Sequence, residues 1–399
     1  MTHIDATEPD PTLLITPLNM WEAPHIRWAQ SHTRELLPSA RVSRGDAATA
    51  LPRRPRELAG LRFDHAGREW TLAAAMAQTG VEGCMVIHDG AIVFEHYAGG
   101  MTAATRRLCQ SVSKSMTSAL AGALAAAGRF GTETLVTDHI DELTGTVWEG
   151  CTAQHLLDMT AGVSFDESDY DDMDSEAWRG FRALGWLARL PHDPSPAEYV
   201  AGLRRQAEHG AEFEYRSICT DVLGWCLERA TGRPMAELFS EYIWKPLGAA
   251  HEGDFIVGPG GFPLGDGGFC VTLHDLALFG LLYLQEGEIE GRRVLPREWV
   301  RRLRTSDPRL VAAYARAFPE DPGGGRHGSS FYHDCWWISD AEAGIYWGYG
   351  IYGQAVLVNH PSNSVVATFS TWPQPWDDEK HELSDSAAIA VCEALGQQA

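Results

Sequence analysis

The sequence predicts an α/β protein in two lobes, with an α/β lobe built from both ends of the chain and a helical lobe inserted between them. Three observations carry this expectation. Strand-type runs cluster at 83–97 and again at 335–371, towards the two ends. Helix-type patterns broken by Pro-, Gly- and Asp-rich segments fill the interval between them. The 399 residues are 44% hydrophobic, enough to bury a large core in two lobes. The expected divisions are an N-terminal arm over 1–60 packed on the body, an α/β lobe from 61–108 and 272–399, and a helical lobe over 109–271.

The elements follow in order. Residues 1–60 are rich in Pro, Arg and Trp without sustained periodicity, which suits an arm rather than a domain. From Gly83, two β-rich runs flank Asp89-Gly90, a strong hairpin signal. Ser111 then opens a run of Ala, Leu and Met that reaches Gly128, and strong helix formers at that density predict a central helix. Helical patterns recur over 153–159, 175–190, 196–206 and 220–230. Residues 271–286 read as an apolar helix opened by Thr272. Beyond Gly323-Gly324-Gly325 the chain turns to strands at 335–339, 345–359 and 364–371, and a helix over 383–395 closes it.

Lys and Arg total 32 against 54 Asp and Glu, a formal net charge of -22. A surface this acidic repels phosphate backbones and anionic lipid, so neither nucleic acid nor a membrane is an expected partner. The first residues show no basic and apolar leader, and no apolar run approaches membrane-spanning length, so the expected location is cytoplasmic. The eight cysteines form no CxxC pair and read as reduced core thiols.

Chemistry concentrates at the central helix. Residues three apart share a helix face, so Ser111 and Lys114 project together from the first turn. Only three lysines occur, Lys114, Lys245 and Lys380, and lysine, unlike arginine, can lose its proton. An apolar helix start lowers a lysine pKa, so a neutral Lys114 that takes the Ser111 proton is the expectation. Two further stretches complete a candidate centre. In Tyr215-Arg216-Ser217, the phenol of Tyr215 could exchange a proton beside a lysine, with Ser217 extending the relay. In Gly348-Tyr349-Gly350-Ile351, alternating glycines on a strand mark either close ligand approach or close helix packing. A backbone N–H there and that of Ser111 would form an oxyanion hole.

Taken together these residues resemble the serine β-lactamase and penicillin-binding-protein superfamily, in its class C-like esterase branch. Ser111-Val112-Ser113-Lys114 matches Ser-x-x-Lys, Tyr215-Arg216-Ser217 stands where that branch has Tyr-x-Asn or Tyr-x-Ser, and Gly348-Tyr349-Gly350 stands at Lys-Thr-Gly. The segments from His155 to Gly162, from Ile243 to Gly248 and from Asp275 to Gly280 also look familiar. The likeness spans about 60–399 and is closest to the 6-aminohexanoate-dimer hydrolases, the nylon-oligomer enzymes, and their carboxylesterase relatives. It implies a β-lactamase-like fold, an antiparallel sheet flanked by helices plus an inserted helical lobe, with the active site between them.

The resemblance also assigns roles. Ser111 becomes the nucleophile, Lys114 its base partner and Tyr215 the proton shuttle to the leaving group, with oxyanion donors at the N–H of Ser111 and Ile351. Substrate contacts fall to Tyr170, Phe181, Ser217, Asp266 and Tyr349. The implied activity is hydrolysis of linear amides or esters through an acyl-enzyme, without metal or cofactor, by a homodimer acting on small molecules. Two departures bear on substrate. Gly348 and Tyr349 supply no cation, so β-lactam hydrolysis is expected to be poor. Phe181 replaces the small or acidic residue of efficient dimer hydrolases, which favours ester over amide turnover. Asp266 either holds an ammonium or shapes a turn. The alternatives are a carboxylesterase with little amidase activity, and a non-catalytic binding or sensor module of the same fold.

Other features read as structural. The acidic run from Asp166 to Glu176 lacks the calcium-loop pattern, because Met173 and Asp174 stand where a ligand and glycine are required, and it reads as a solvated loop. Sixteen histidines show no zinc-ligand spacing.

Overall fold

The computed structural model describes residues 14–167, 175–319 and 330–397. The chain enters through α1 (Ile26–Leu36) and β1 (Ser39–Val42), then forms the ribbon of β2 (Arg62–His65) and β3 (Arg68–Thr71). α2 (Leu72–Gln78), β4 (Val81–His88), β5 (Ala91–Tyr97) and β6 (Arg106–Leu108) lead to the central helix α3 (Val112–Ala126). The helical middle holds α4 (Ala153–Leu157), α5 (Glu176–Leu184), α6 (Pro196–Ala201), α7 (Ser217–Thr231), α8 (Met235–Phe239) and α9 (Lys245–Leu247). β7 (Gly253–Ile256), β8 (Phe269–Thr272) and α10 (Leu273–Leu284) return the chain towards the sheet. The short ribbon β9 (Glu288–Ile289) and β10 (Arg292–Arg293) precedes α11 (Arg297–Arg302) and α12 (Pro308–Ala317). Then come β11 (Phe331–His333), β12 (Trp336–Asp340), β13 (Ile345–Gly350), β14 (Gln354–Asn359), β15 (Ser364–Ser370) and α13 (Asp378–Gly396).

The main sheet is antiparallel with strand order β11-β12-β13-β14-β15-β4-β5. Its join between the two ends of the chain is the β15–β4 ladder, in which Val366 faces Val86. The Asp89-Gly90 turn has positive φ at both residues, +48° and +68°, which matches the right-handed twist of the strands it connects. α10 begins at Thr272, whose side chain accepts from the Asp275 N–H, and it lies across the sheet. Gly280 permits that contact, since a Cβ there would stand 2.5 Å from Val365 Cγ1.

A second antiparallel sheet, β1-β7-β8-β6, was not foreseen. The sequence pattern predicts a helical lobe over 109–271, whereas β7 and most of β8 lie within it. Each of these strands has four residues, too few to show a period-2 pattern, and β1 from the arm completes the edge by pairing Ser39 with Ile256. α1 is pinned by a buried polar cluster: Gln30 Oε1 accepts from Arg107 Nε at 3.0 Å, and Arg107 also pairs with Glu82. α3 runs through the centre of the molecule, and every residue from Val112 to Leu124 is buried.

Candidate active site

The N-terminus of α3 is built for display. Gln110 takes φ +51°, an unfavourable left-handed conformation for a non-glycine residue, and this turns the chain sharply into Ser111. Ser111 occupies the N-cap position but makes no side-chain cap bond, so its hydroxyl is left for other partners. Lys114, with no exposed surface, donates from Nζ to Ser111 Oγ at 2.8 Å, to Ser217 Oγ at 2.9 Å and to the Asp266 carbonyl at 3.0 Å. The ammonium is thereby fully coordinated and held against the serine.

Tyr215 faces the same point from the segment before α7. Its ring centroid is 5.0 Å from Lys114 Nζ, its phenol is electrostatically coupled to Lys114, and the ring stacks on Trp337 at 5.2 Å. Burial raises the phenol pKa, opposed by Lys114. For Lys114 the expectation of a neutral amine is corrected. Burial does push its pKa down, but Tyr215, Asp266 and Glu167 outweigh it, and the net shift is upward. The amine rests as an ammonium because the pocket is acidic, which composition near Lys114 in the sequence could not reveal.

Asp266 is buried beside the serine rather than confined to a turn. Its Oδ1 accepts from Trp186 Nε1 at 3.2 Å, and its N–H donates to Asp221 Oδ1 at 3.0 Å. Burial and the neighbouring Asp266 charge together drive the Asp221 pKa well up. The ammonium nearest to Asp266 in charge terms is the protein's own Lys114.

Glu167 is a second acidic group that the sequence reading misplaced in a solvated loop. Its Oε2 accepts the Ser217 N–H at 2.6 Å, and burial followed by the opposing pull of Lys114 leaves its pKa raised to about 7. One carboxylate among many in an acidic run gives no sequence signal for turning inward.

The serine opens into a narrow pocket of about 50 Å³, lined among others by Phe181, Trp186, Ser217, Asp266 and Ile351. Trp21 from the arm also lines it; its Nε1 donates to the Trp186 carbonyl at 3.2 Å, and its own carbonyl accepts from Tyr352 Oη at 3.1 Å. Sequence reasoning gave Trp21, Trp178 and Trp186 no site role, because an aromatic residue at helical or irregular spacing reads as core. Tyr349 is a correction. Gly348 and Gly350 face α3, while Tyr349 between them points the other way and donates to Asp385 Oδ2 on α13 at 2.5 Å. It does not line the serine pocket. Tyr170 lies outside the described residues.

Among the described residues, Asp158, His333 and Asp334 could together hold a metal ion. Their charge is already met: Asp158 Oδ1 is 2.7 Å from His333 Nδ1, and Arg302 Nε is 2.9 Å from Asp334 Oδ2. Although burial lowers it, the two aspartates raise the His333 pKa to about 9, so an imidazolium and a guanidinium stand where a cation would.

The fold and the buried Ser111–Lys114 pair at the start of α3 accord with one class of protein, and the chain belongs to the β-lactamase family, whose match covers residues 71–389. Within that class the chain is 35% identical over 384 residues to the 6-aminohexanoate-dimer hydrolase of Paenarthrobacter ureafaciens, covering 95% of this chain and 94% of that protein. It also superposes on a Bacillus anthracis structure described as a candidate 6-aminohexanoate-dimer hydrolase. That match has TM-score 0.86, 24% identity and coverage of 98% and 99% of the two chains. EstCE1, described as a hydrolase with promiscuous acyltransferase activity, shares the fold at TM-score 0.61 and 17% identity, over 80% of this chain and 98% of its own. No helix among the described residues is long and apolar enough to cross a membrane.

Proposed function

We propose that this protein is a serine hydrolase that opens linear esters and amides through an acyl-enzyme on Ser111. The observation that carries the reading is the Ser111 hydroxyl held 2.8 Å from Lys114 Nζ at the floor of an apolar pocket. Ser111 Oγ attacks the carbonyl carbon while its proton passes to the Lys114–Tyr215 pair in its singly deprotonated form, a phenolate held beside the ammonium. Tyr215 then protonates the leaving alkoxide or amine, and the pair activates water for deacylation. Burial raises the Tyr215 pKa and the Lys114 ammonium lowers it; because Lys114 rests protonated, the acceptor at the moment of attack is the phenolate form of Tyr215, which becomes the phenol that serves the leaving group. The N–H groups of Ser111 and Ile351 receive the oxyanion, a placement supported by Gly350, which brings the end of β13 against the Ser111 amide.

The kinship with 6-aminohexanoate-dimer hydrolases supports linear, methylene-rich substrates, and the narrow aromatic slot suits them. Phe181 beside Trp178 narrows the slot further and favours esters, whose alkoxide leaves more readily than an amine. The test compares p-nitrophenyl butyrate with the linear 6-aminohexanoate dimer, using Ser111→Ala as control. An initial burst with the ester and faster ester turnover are expected, and a burst surviving Ser111→Ala would overturn the assignment. A non-catalytic binding module would give no burst at all.

A further inference from the structure

Glu167 takes no step in that chemistry, yet it holds the residue next to the nucleophile's lysine. Lys114 Nζ donates to Ser111 Oγ and to Ser217 Oγ, and the Ser217 N–H donates to Glu167 Oε2 at 2.6 Å. The other carboxyl oxygen, Oε1, is sealed from solvent and has no hydrogen-bond partner. A bare carboxylate oxygen in such a place is costly, and a neutral carboxyl much less so. We propose that Glu167 is a positioning residue of the acyl-transfer centre that works in its protonated form, and that its ionisation slows turnover by setting a negative charge that holds the proton on the Lys114–Tyr215 pair. The inference rests on the reading of Ser111 as nucleophile.

The charges around it give the sign. Facing Glu167 are Lys114 from α3, Asp266 from the loop before β8, Tyr215 from the segment before α7, Cys219 within α7, and Tyr199 from α6. The proton leaving Ser111 stays on the Lys114–Tyr215 pair, so attack on a neutral ester leaves the charge of the cluster unchanged and the state of that pair decides the rate. Beyond the effect of burial, an ionised Glu167 raises the pKa of both Lys114 and Tyr215, so less of the pair is in the form that can take the serine proton. Burial, as the largest influence, places this change near neutral pH, about 7.

Glu167→Gln copies the shape of the neutral carboxyl and cannot ionise. In p-nitrophenyl butyrate turnover, the ratio of kcat at high pH to kcat at low pH, taken about one and a half units either side of neutrality, should rise roughly tenfold over wild type, with the change in kcat rather than KM. An unchanged ratio would mean that Glu167 merely shapes its loop, and a folded variant inactive at every pH would mean that the ionised carboxylate is required; either overturns the proposal. Should Glu167→Gln not fold, Glu167→Asp retains an ionisable group and is expected to keep the alkaline fall at a displaced pH, and an undisplaced fall overturns it. Absence of a p-nitrophenol burst in wild type would sink the Ser111 reading and this inference with it, whereas a normal burst with an unaltered profile sinks the inference alone.

Discussion

Gly350 touches the backbone of Ser111: a Cβ built on it would lie 3.0 Å from the Ser111 nitrogen, 2.7 Å from the Cys109 carbonyl and 2.8 Å from Gln110 Cβ. Its φ of -141° is open to any residue, so space and not conformation demands glycine here. Gly350→Ala must push β13 away from the amide of Ser111, and with it the N–H of Ile351. A displacement of this kind is expected to cut kcat by about 10²-fold. The accompanying overpacking costs about 1–3 kcal/mol. Burst kinetics and thermal melting measure the two separately, and an Ala variant with normal kcat would exclude Ile351 as an oxyanion donor.

Lys114→Arg keeps the positive charge but cannot give up a proton or fit three acceptors at 2.8, 2.9 and 3.0 Å. Ester turnover should fall on the order of 10³-fold, within the span of general acid–base contributions. Ser111→Ala should remove turnover altogether with the melting temperature little changed. A Lys114→Arg enzyme near wild-type rate would show that the amine only stabilises charge and carries no proton.

Much of this centre could be read before folding, and the reason is local. Ser111 and Lys114 share one helical turn, and Tyr215 and Ser217 sit two residues apart, so short-range spacing already groups them. The apolar runs of β4, β5, β13, β14 and β15 are long enough to declare themselves as strands. What escaped depends on distant packing. Trp21 reaches the pocket only because α1 docks on Arg107, Tyr349 is turned away by the pleat of β13, and the charge on Lys114 is set by Asp266 and Glu167 from other segments. The β1-β7-β8-β6 sheet escaped for the same reason, since its strands are brief and paired across the whole chain.

The His333 cluster predicts a pH dependence of stability. Its folded pKa, about 9, lies above the ordinary histidine value, so the protonated form favours folding. That contribution is fully present below the unfolded value of about 6.5 and is lost as pH rises through about 9. Melting temperature should therefore fall between those limits, by an amount equivalent to roughly a few kcal/mol. His333→Gln should be less stable at pH 6 and show a flatter decline. An equal slope in both proteins would assign the pH dependence to other groups.

β-Lactam chemistry should be absent. Apart from the ammonium of Lys114, which Ser111, Ser217 and Asp266 already occupy, the described lining residues of the serine pocket supply no lysine or arginine for a substrate carboxylate. Asp266 adds a negative charge instead. A fluorescent penicillin should leave Ser111 unlabelled under conditions in which an activated ester acylates it, as intact-mass measurement would show. Stoichiometric labelling would place a cation in the pocket that the described lining lacks.

Phe181 is the residue through which substrate choice is most open to change. Its ring lines the pocket and meets Phe165 edge-on at 6.3 Å and Trp178 at 5.9 Å, so it narrows the slot without supporting the Ser111–Lys114 contact. Phe181→Gly removes the side chain and lengthens the space available to a linear amide. Gains from opening a hydrophobic pocket run to about 1–3 kcal/mol, so the ratio of kcat/KM for the linear 6-aminohexanoate dimer to that for p-nitrophenyl butyrate should rise at least about tenfold. The cost is a looser aromatic cluster and a lower melting temperature, about 2 kcal/mol or more for a partly buried ring. If the ratio stays constant while stability falls, the slot is not what limits amide turnover, and the barrier lies instead in protonating the amine that leaves, a step assigned to Tyr215.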